Sequence, residues 1–395
     1  MTADAQVSGC PAPISDRVVW SGVVAAIASI GAVGLALGLG LPLLSVVLKA
    51  RGISSTLIGL NTAVAGLASL LAAPASPYLT ARFGIRATLF LAIAAAAASA
   101  IGFYVFQPFW TWFPLRLVFH FAVTVMFILS EFWISAVSPA SRRGLILGIY
   151  ATVLALGFAL GPFVFSLVGS QGFLPFGLGA AMILSAAVPL LFASRSTPVL
   201  DETPTAPFHR YLWAVPSATC AVFVFGAVES GGFALFPLYG LSIGFSEGGA
   251  ARLLSAIGLG SVALQIPLGL LSDRVRDRRH LLLAFAAIGL AGALIMPVLQ
   301  ANWMLLALIL FLWGGVVAGL YTVGLAHLGS RLGGADLAAA NAAFIFCYSL
   351  GMLVGPQTLG TSMDLFGPSG FAYALAMFFC AYFVAIGTRL LRRPS

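Results

Sequence analysis

Charge is what this sequence most conspicuously lacks. Only 8% of its 395 residues are Asp, Glu, Lys or Arg, against 61% hydrophobic ones. A soluble globular protein carries roughly 25% charged residues. A surface of this size cannot be coated for water with so few, so lipid must be the solvent for much of it. Histidine is scarce too, and His120, His209, His280 and His327 are scattered with no metal-binding spacing. Cys10, Cys220, Cys347 and Cys380 form no close pair, so neither a disulfide framework nor a metal site is implied. No G-x-x-x-x-G-K-[ST] phosphate loop exists, which argues against ATP hydrolysis within the chain. No clustered acid, base or metal constellation suggests an enzyme, and nothing calls for a cofactor. The net charge of +8 does not point to nucleic acid, because the basic residues lie in short gaps between apolar runs.

What the sequence has instead is long apolar runs. A helix needs ~20 mostly apolar residues to cross a bilayer. Twelve such runs are present: Val18–Val47, Ser55–Leu79, Ala87–Phe106, Phe109–Val137, Leu145–Gly169, Phe173–Ala193, Tyr211–Tyr239, Ala250–Leu271, Leu281–Leu299, Trp303–His327, Leu337–Gly360 and Gly370–Leu390. The first is too long for a signal peptide and reads as an uncleaved membrane helix. If residues 1–17 are cytoplasmic, all 19 Lys and Arg except Lys49, Arg51, Arg116 and Arg252 fall inside. That is the positive-inside pattern, with both termini in the cytoplasm.

The polar stretch 194–209 divides the chain into two sets of six helices, 18–193 and 210–390, with a short tail at 391–395. The halves are related. Gly52-Ile53-Ser54 precedes Arg82 by about the same interval that separates Gly244-Phe245-Ser246 from Arg274. Gly157-x-x-x-Gly161-Pro162 in the fifth run recurs as Gly351-x-x-x-Gly355-Pro356 in the eleventh. Matched phrases at two places argue for duplication, and paired repeats around a midplane site are a transporter architecture. The glycines are expected to let helices pack closely, with the prolines bending them.

The segment Gly269-Leu270-Leu271-Ser272-Asp273-Arg274-Val275-Arg276-Asp277-Arg278-Arg279 resembles the second-half copy of the major facilitator superfamily motif G-x-x-x-D-R-x-G-R-R/K. The resemblance extends over essentially the whole chain. The first-half copy, from Pro77 to Arg86, has lost its first glycine to Pro77, its aspartate to Ala81 and one basic residue to Ile85. The resemblance implies an all-α membrane protein of two pseudo-symmetric six-helix bundles. It also implies a central cavity lined by the first, fourth, seventh and tenth helices, and a cytoplasmic gate. Candidate gate residues are Arg82, Arg86, Glu131, Gly269, Asp273, Arg274, Arg278 and Arg279. The phrase Gly157–Pro162 is similar to the start of an antiporter-associated family motif, but Phe165 and Ser166 stand where its closing glycines would be.

Ionisable residues within membrane helices are costly and therefore functional candidates. Arg116 and His120 lie one turn apart in the fourth helix, and Glu229 is the only acid within the seventh. The resemblance places both helices beside the solute path. Glu229 is a candidate proton carrier; a structural Arg116–Glu229 ion pair is the competing reading. Tyr321 and Asn341 are further path candidates, and Asn61, Gln265 and Tyr348 can serve either solute contact or helix packing. His327, near a helix end, reads as solvated.

The expected function is secondary transport of a small solute, coupled to protons and exporting amphipathic or drug-like compounds. Uptake of a small organic anion, recognised by Arg116 and His120, is the alternative within transporters. A non-transporting sensor or scaffold is the alternative of another class. A monomer in a cell membrane, such as a bacterial inner membrane, is expected.

Overall fold

A computed structural model describes residues 16–138, 143–192, 211–331 and 334–392. The segment 194–209, Arg142, Cys10 and both chain ends lie outside the described residues. So do the side chains of Arg17 and Arg143. The helices are α1 (Asp16–Ala50), α2 (Ser55–Phe83), α3 (Ile85–Val105), α4 (Trp112–Val137), α5 (Arg143–Val168), α6 (Leu174–Ser185), α7 (Ala187–Phe192), α8 (Pro216–Ser242), α9 (Glu247–Arg274), α10 (Arg278–Ile295), α11 (Trp303–Gly329), α12 (Gly334–Phe366) and α13 (Ser369–Arg392). The short α6 and α7 together make the sixth crossing, so the seventh predicted helix is α8. Among the described residues, twelve segments are long and apolar enough to span a bilayer.

Local chemistry explains where the helices begin. Ser54 and Ser246 both sit in extended backbone ahead of α2 and α9. Each side-chain oxygen accepts the backbone N–H three residues on, from Leu57 and Gly249. Each serine follows a glycine at positive φ, Gly52 at 78° and Gly244 at 94°, where a Cβ would be strained. The duplicated phrase is therefore a duplicated turn. α8 starts five residues later than the apolar run because Pro216 takes the first helical turn. The fourth run opens with a 3-10 turn, Phe109–Thr111, before α4.

Packing repeats the duplication. α1 lies on α5 as α8 lies on α12, and α2 lies on α4 as α9 lies on α11. Gly31, Gly34 and Gly38 of α1 meet Gly157 and Gly161 of α5 backbone to backbone. In the second half, Gly351 and Gly355 of α12 abut Phe223 and Ala227 of α8. A Cβ at any of these four glycines of α5 and α12 would collide with backbone across the interface. Pro162 and Pro356 lie inside α5 and α12, one residue beyond the second glycine of each pair. The halves join each other mainly through two related contacts, α2 on α12 and α5 on α9, and α8 also touches α1 and α2.

Candidate functional site

The helices alternate in direction, so the molecule has two ends. One carries Arg82, Arg86, Arg274, Arg278 and Arg279 and is called here the arginine end. The other carries the Gly52 and Gly244 turns.

The halves are sealed at the glycine-turn end. Asp364 of α12 accepts the backbone N–H groups of Ser55 at 3.0 Å and Thr56 at 2.7 Å, the first residues of α2. A carboxylate there satisfies orphan donors and meets the positive end of the helix dipole. In the related position, Ser170, just past α5, donates to Glu247 at the start of α9 at 2.9 Å. Next to these bonds, Gly360 lies on the backbone of Ser55 and Gly59 on that of Pro356. Deeper, Gly66 touches Ser349 and Leu353, and Gly258 touches Ala159.

The arginine end is different. A Cβ added at Gly148 of α5 or Gly269 of α9 would meet nothing within 4 Å. The predicted gate residues keep to their own halves. Asp273 pairs with Arg278 of the same connection at 3.2 Å, and its side chain is 72% exposed. Arg279 forks onto Asp277 at 2.8 Å. Arg86 donates to the carbonyl of Leu191, and Arg82 lies over the ring of Phe83. Glu131 is exposed and joins no ion pair among the described residues; Arg142 and the Arg143 side chain, expected near it, lie outside them. Among the described residues, then, the halves are joined at one end, while at the other the named contacts stay within each half.

Between the ends lie the intramembrane polar groups. The Arg116–Glu229 pair of the competing reading does not form. Among the described residues, ion pairs are confined to the connection between α9 and α10. Glu229 instead accepts a 2.6 Å hydrogen bond from the hydroxyl of Tyr348 on α12. Tyr348 packs in turn against Tyr321 of α11, ring centroids 6.1 Å apart, and both rings contact Phe225. Around Glu229 a recess is walled by Phe225, Phe233, Phe236, Trp313 and Phe371.

Arg116 is fully buried and its Nε donates to Asn61 Oδ1 on α2 at 2.7 Å. His120, one turn on, is buried, with its ring edge-on to Phe119. Asn341 is exposed near the start of α12. His327 is 4% exposed, which corrects its reading as a solvated residue: α11 carries it into the protein before ending at Gly329. Sequence reasoning missed Asp364, Glu247 and Ser170. The available signal was an acid placed at the level of each glycine turn, close to the ends of α12 and α9. Among the described residues no three His, Cys, Asp or Glu side chains gather as a metal site would need.

Known proteins share this architecture. The chain is 28% identical over 359 residues to the MFS-type transporter YfkF of Bacillus subtilis, covering 89% of this chain and 91% of that one. It is 25% identical over 288 residues to the MFS-type transporter YcaD of Salmonella arizonae, covering 71% and 72%. Among solved structures, a D-xylose-proton symporter superposes with a TM-score of 0.73 at 15% identity, over 93% of this chain and 96% of that one. A bacterial homologue of the human lysosomal transporter Spinster, inward-facing and unoccupied, gives 0.69 at 12% identity over 97% and 96%. The family profile described as Major Facilitator Superfamily matches residues 19–356 and 218–395. With its twelve bilayer-length helices, the chain belongs to the major facilitator superfamily and is a multi-pass membrane transporter rather than an enzyme.

Proposed function

We propose that this transporter is coupled to protons through Glu229 and exports small amphipathic compounds. The observation that carries the reading is the Tyr348–Glu229 hydrogen bond: an acid at the middle of α8 has a neutral hydroxyl for a partner and, among the described residues, no cation. An acid at that depth must be paired, hydrated or protonated, and a single neutral partner suits a group that gains and loses a proton. The aromatic recess beside it suits an apolar solute body. Placing the arginine end in the cytoplasm, as the basic residues favour, makes the described state open to the cell interior, where an exporter collects its cargo. On this reading residues 194–209 link two functional halves, 18–193 and 210–390. A single chain in a bacterial inner membrane is sufficient. Gly269, Asp273 and Arg274 would then contact the other half only when the arginine end closes.

The test is solute-driven proton flux in proteoliposomes across a panel of amphipathic cations, neutral compounds and organic anions. Proton movement that depends on an amphipathic solute is expected. Solute movement without proton movement throughout the panel contradicts the coupling.

A further inference from the structure

A second site lies in the first half. Arg116 stands one turn inside the start of α4, and Asn61 stands two turns inside the start of α2. Both residues are 0% exposed. The Nε–Oδ1 bond fixes the guanidinium against the amide. It also leaves the guanidinium's far end free: Nη1 and Nη2 of Arg116 are both buried without a hydrogen-bond partner, and so is Nδ2 of Asn61.

Those three nitrogens are all donors, since neither group there can accept. A buried, permanently charged guanidinium held by one neutral oxygen is among the costliest arrangements a protein can hold. Among the described residues no carboxylate relieves it. Asp364 and Glu247, the acids at that end, are engaged with Ser55 and Thr56 and with Ser170. Glu229 is engaged with Tyr348. The surroundings are closely packed: Trp112, one turn earlier, is fully buried, bonded to the carbonyl of Phe106 at 2.8 Å and covered by Arg51, whose guanidinium lies 4.8 Å from its ring centroid. The fork is thus presented on a braced frame, and its two parallel donors match a carboxylate, or a single spherical anion seated between them.

We propose that Arg116 and Asn61 form a binding site for one singly charged anion, either a halide or the carboxylate of an organic molecule. The site lies beneath the Asp364 closure, so its occupant is enclosed while that end is sealed. This assignment is independent of the proton role of Glu229 and is read without transport.

The experiment is equilibrium binding to purified, detergent-solubilised protein, with radiolabelled chloride in one arm and radiolabelled benzoate in the other. Saturable binding of at most one anion per chain is expected in one of the two arms. Binding in the chloride arm identifies an inorganic ion, and binding in the benzoate arm an organic carboxylate. Arg116→Gln removes the charged fork and should weaken binding by at least about 100-fold. Asn61→Ala removes one donor and the brace, and should weaken it by about 10-fold. No saturable binding of either anion to wild type, or equal binding by well-folded Arg116→Gln, overturns the site. Should Arg116→Gln not fold, Asn61→Ala and a bromide-soaked wild-type crystal decide. An anomalous peak, or carboxylate density, within hydrogen-bond reach of Nη1 and Nη2 supports the site, and neither being there overturns it.

Discussion

At the head of α10, Asp277 does two jobs with one carboxylate. It accepts the backbone N–H of Arg279 at 3.0 Å as a helix cap, and it holds the Arg279 side chain with bonds of 2.8 and 3.0 Å. The Arg279 side-chain bonds are the largest reason its pKa is depressed to about 2, with the backbone bond and the nearby charge of Arg279 adding to them. The folded state therefore binds this proton less readily than the unfolded chain. Its contribution is present above the ordinary aspartate range and is lost as pH falls toward about 2. Asp277→Asn should lower the unfolding midpoint by a nearly constant amount from pH 7 to about 5, and that deficit should shrink below about pH 4. A deficit unchanged into that range would contradict the account, and thermal unfolding across pH measures it. Residues of this kind were legible as charges but not as partners. Arg116, His120 and Glu229 stand out because an ion in an apolar run is expensive wherever it points. That Glu229 meets Tyr348 and Arg116 meets Asn61 depends on helix rotation, which spacing along one helix does not encode.

Two contacts between elements can be tested in pairs. A Cβ at Gly355 would strike the Ala227 backbone, whereas one at Gly269 meets open space. Gly355→Ala should therefore destabilise the protein by about 1–3 kcal/mol through overpacking, against a small gain in helix propensity. Gly269→Ala should leave stability unchanged or slightly raised, yet slow transport if α9 must approach the other half when the arginine end closes. Thermal unfolding beside transport assays separates the two; equal destabilisation by both would refute the difference in packing. Asp364 is the second case. A charge at a helix N-terminus contributes typically 0.3–1 kcal/mol. Asp364→Asn should then shift the balance between conformers about 2- to 5-fold toward opening of the glycine-turn end. Spin-label distances across α2 and α12 read that shift, and an unchanged distribution would leave Asp364 without a gating role. Helix existence was legible at this scale because twelve apolar runs have few other solutions. Their ends were less so: Pro216 delayed α8, and the sixth crossing divides between α6 and α7 at Ala186, three residues ahead of Pro189, whose ring and missing N–H interrupt the helix there.

For the whole molecule, duplication was the most readable property. The Gly52 and Gly244 turns and the Gly157 and Gly351 phrases appear in the structure as matching caps and matching helix pairs. The conformational state was not readable, because a sequence that alternates between two arrangements must encode both. On the proposed mechanism, the contact of α2 with α12 sealed by Asp364, and the free surface at Gly269, would belong to only one of them. Orientation in the membrane is likewise a matter of charge placement. With both termini inside, a cysteine placed at Thr205 should resist an impermeant thiol reagent in intact cells and react after permeabilisation. Labelling from outside would invert the molecule and with it the proposed direction of transport.

Proton coupling through Glu229 is the central claim, and one substitution examines it most directly. Glu229→Gln keeps the shape and a hydrogen-bonding partner for Tyr348 but cannot release a proton. In proteoliposomes, well-folded Glu229→Gln should lose net transport driven by a pH gradient while retaining exchange of labelled for unlabelled solute at equal pH. Gradient-driven transport at the wild-type rate in that variant would contradict the account.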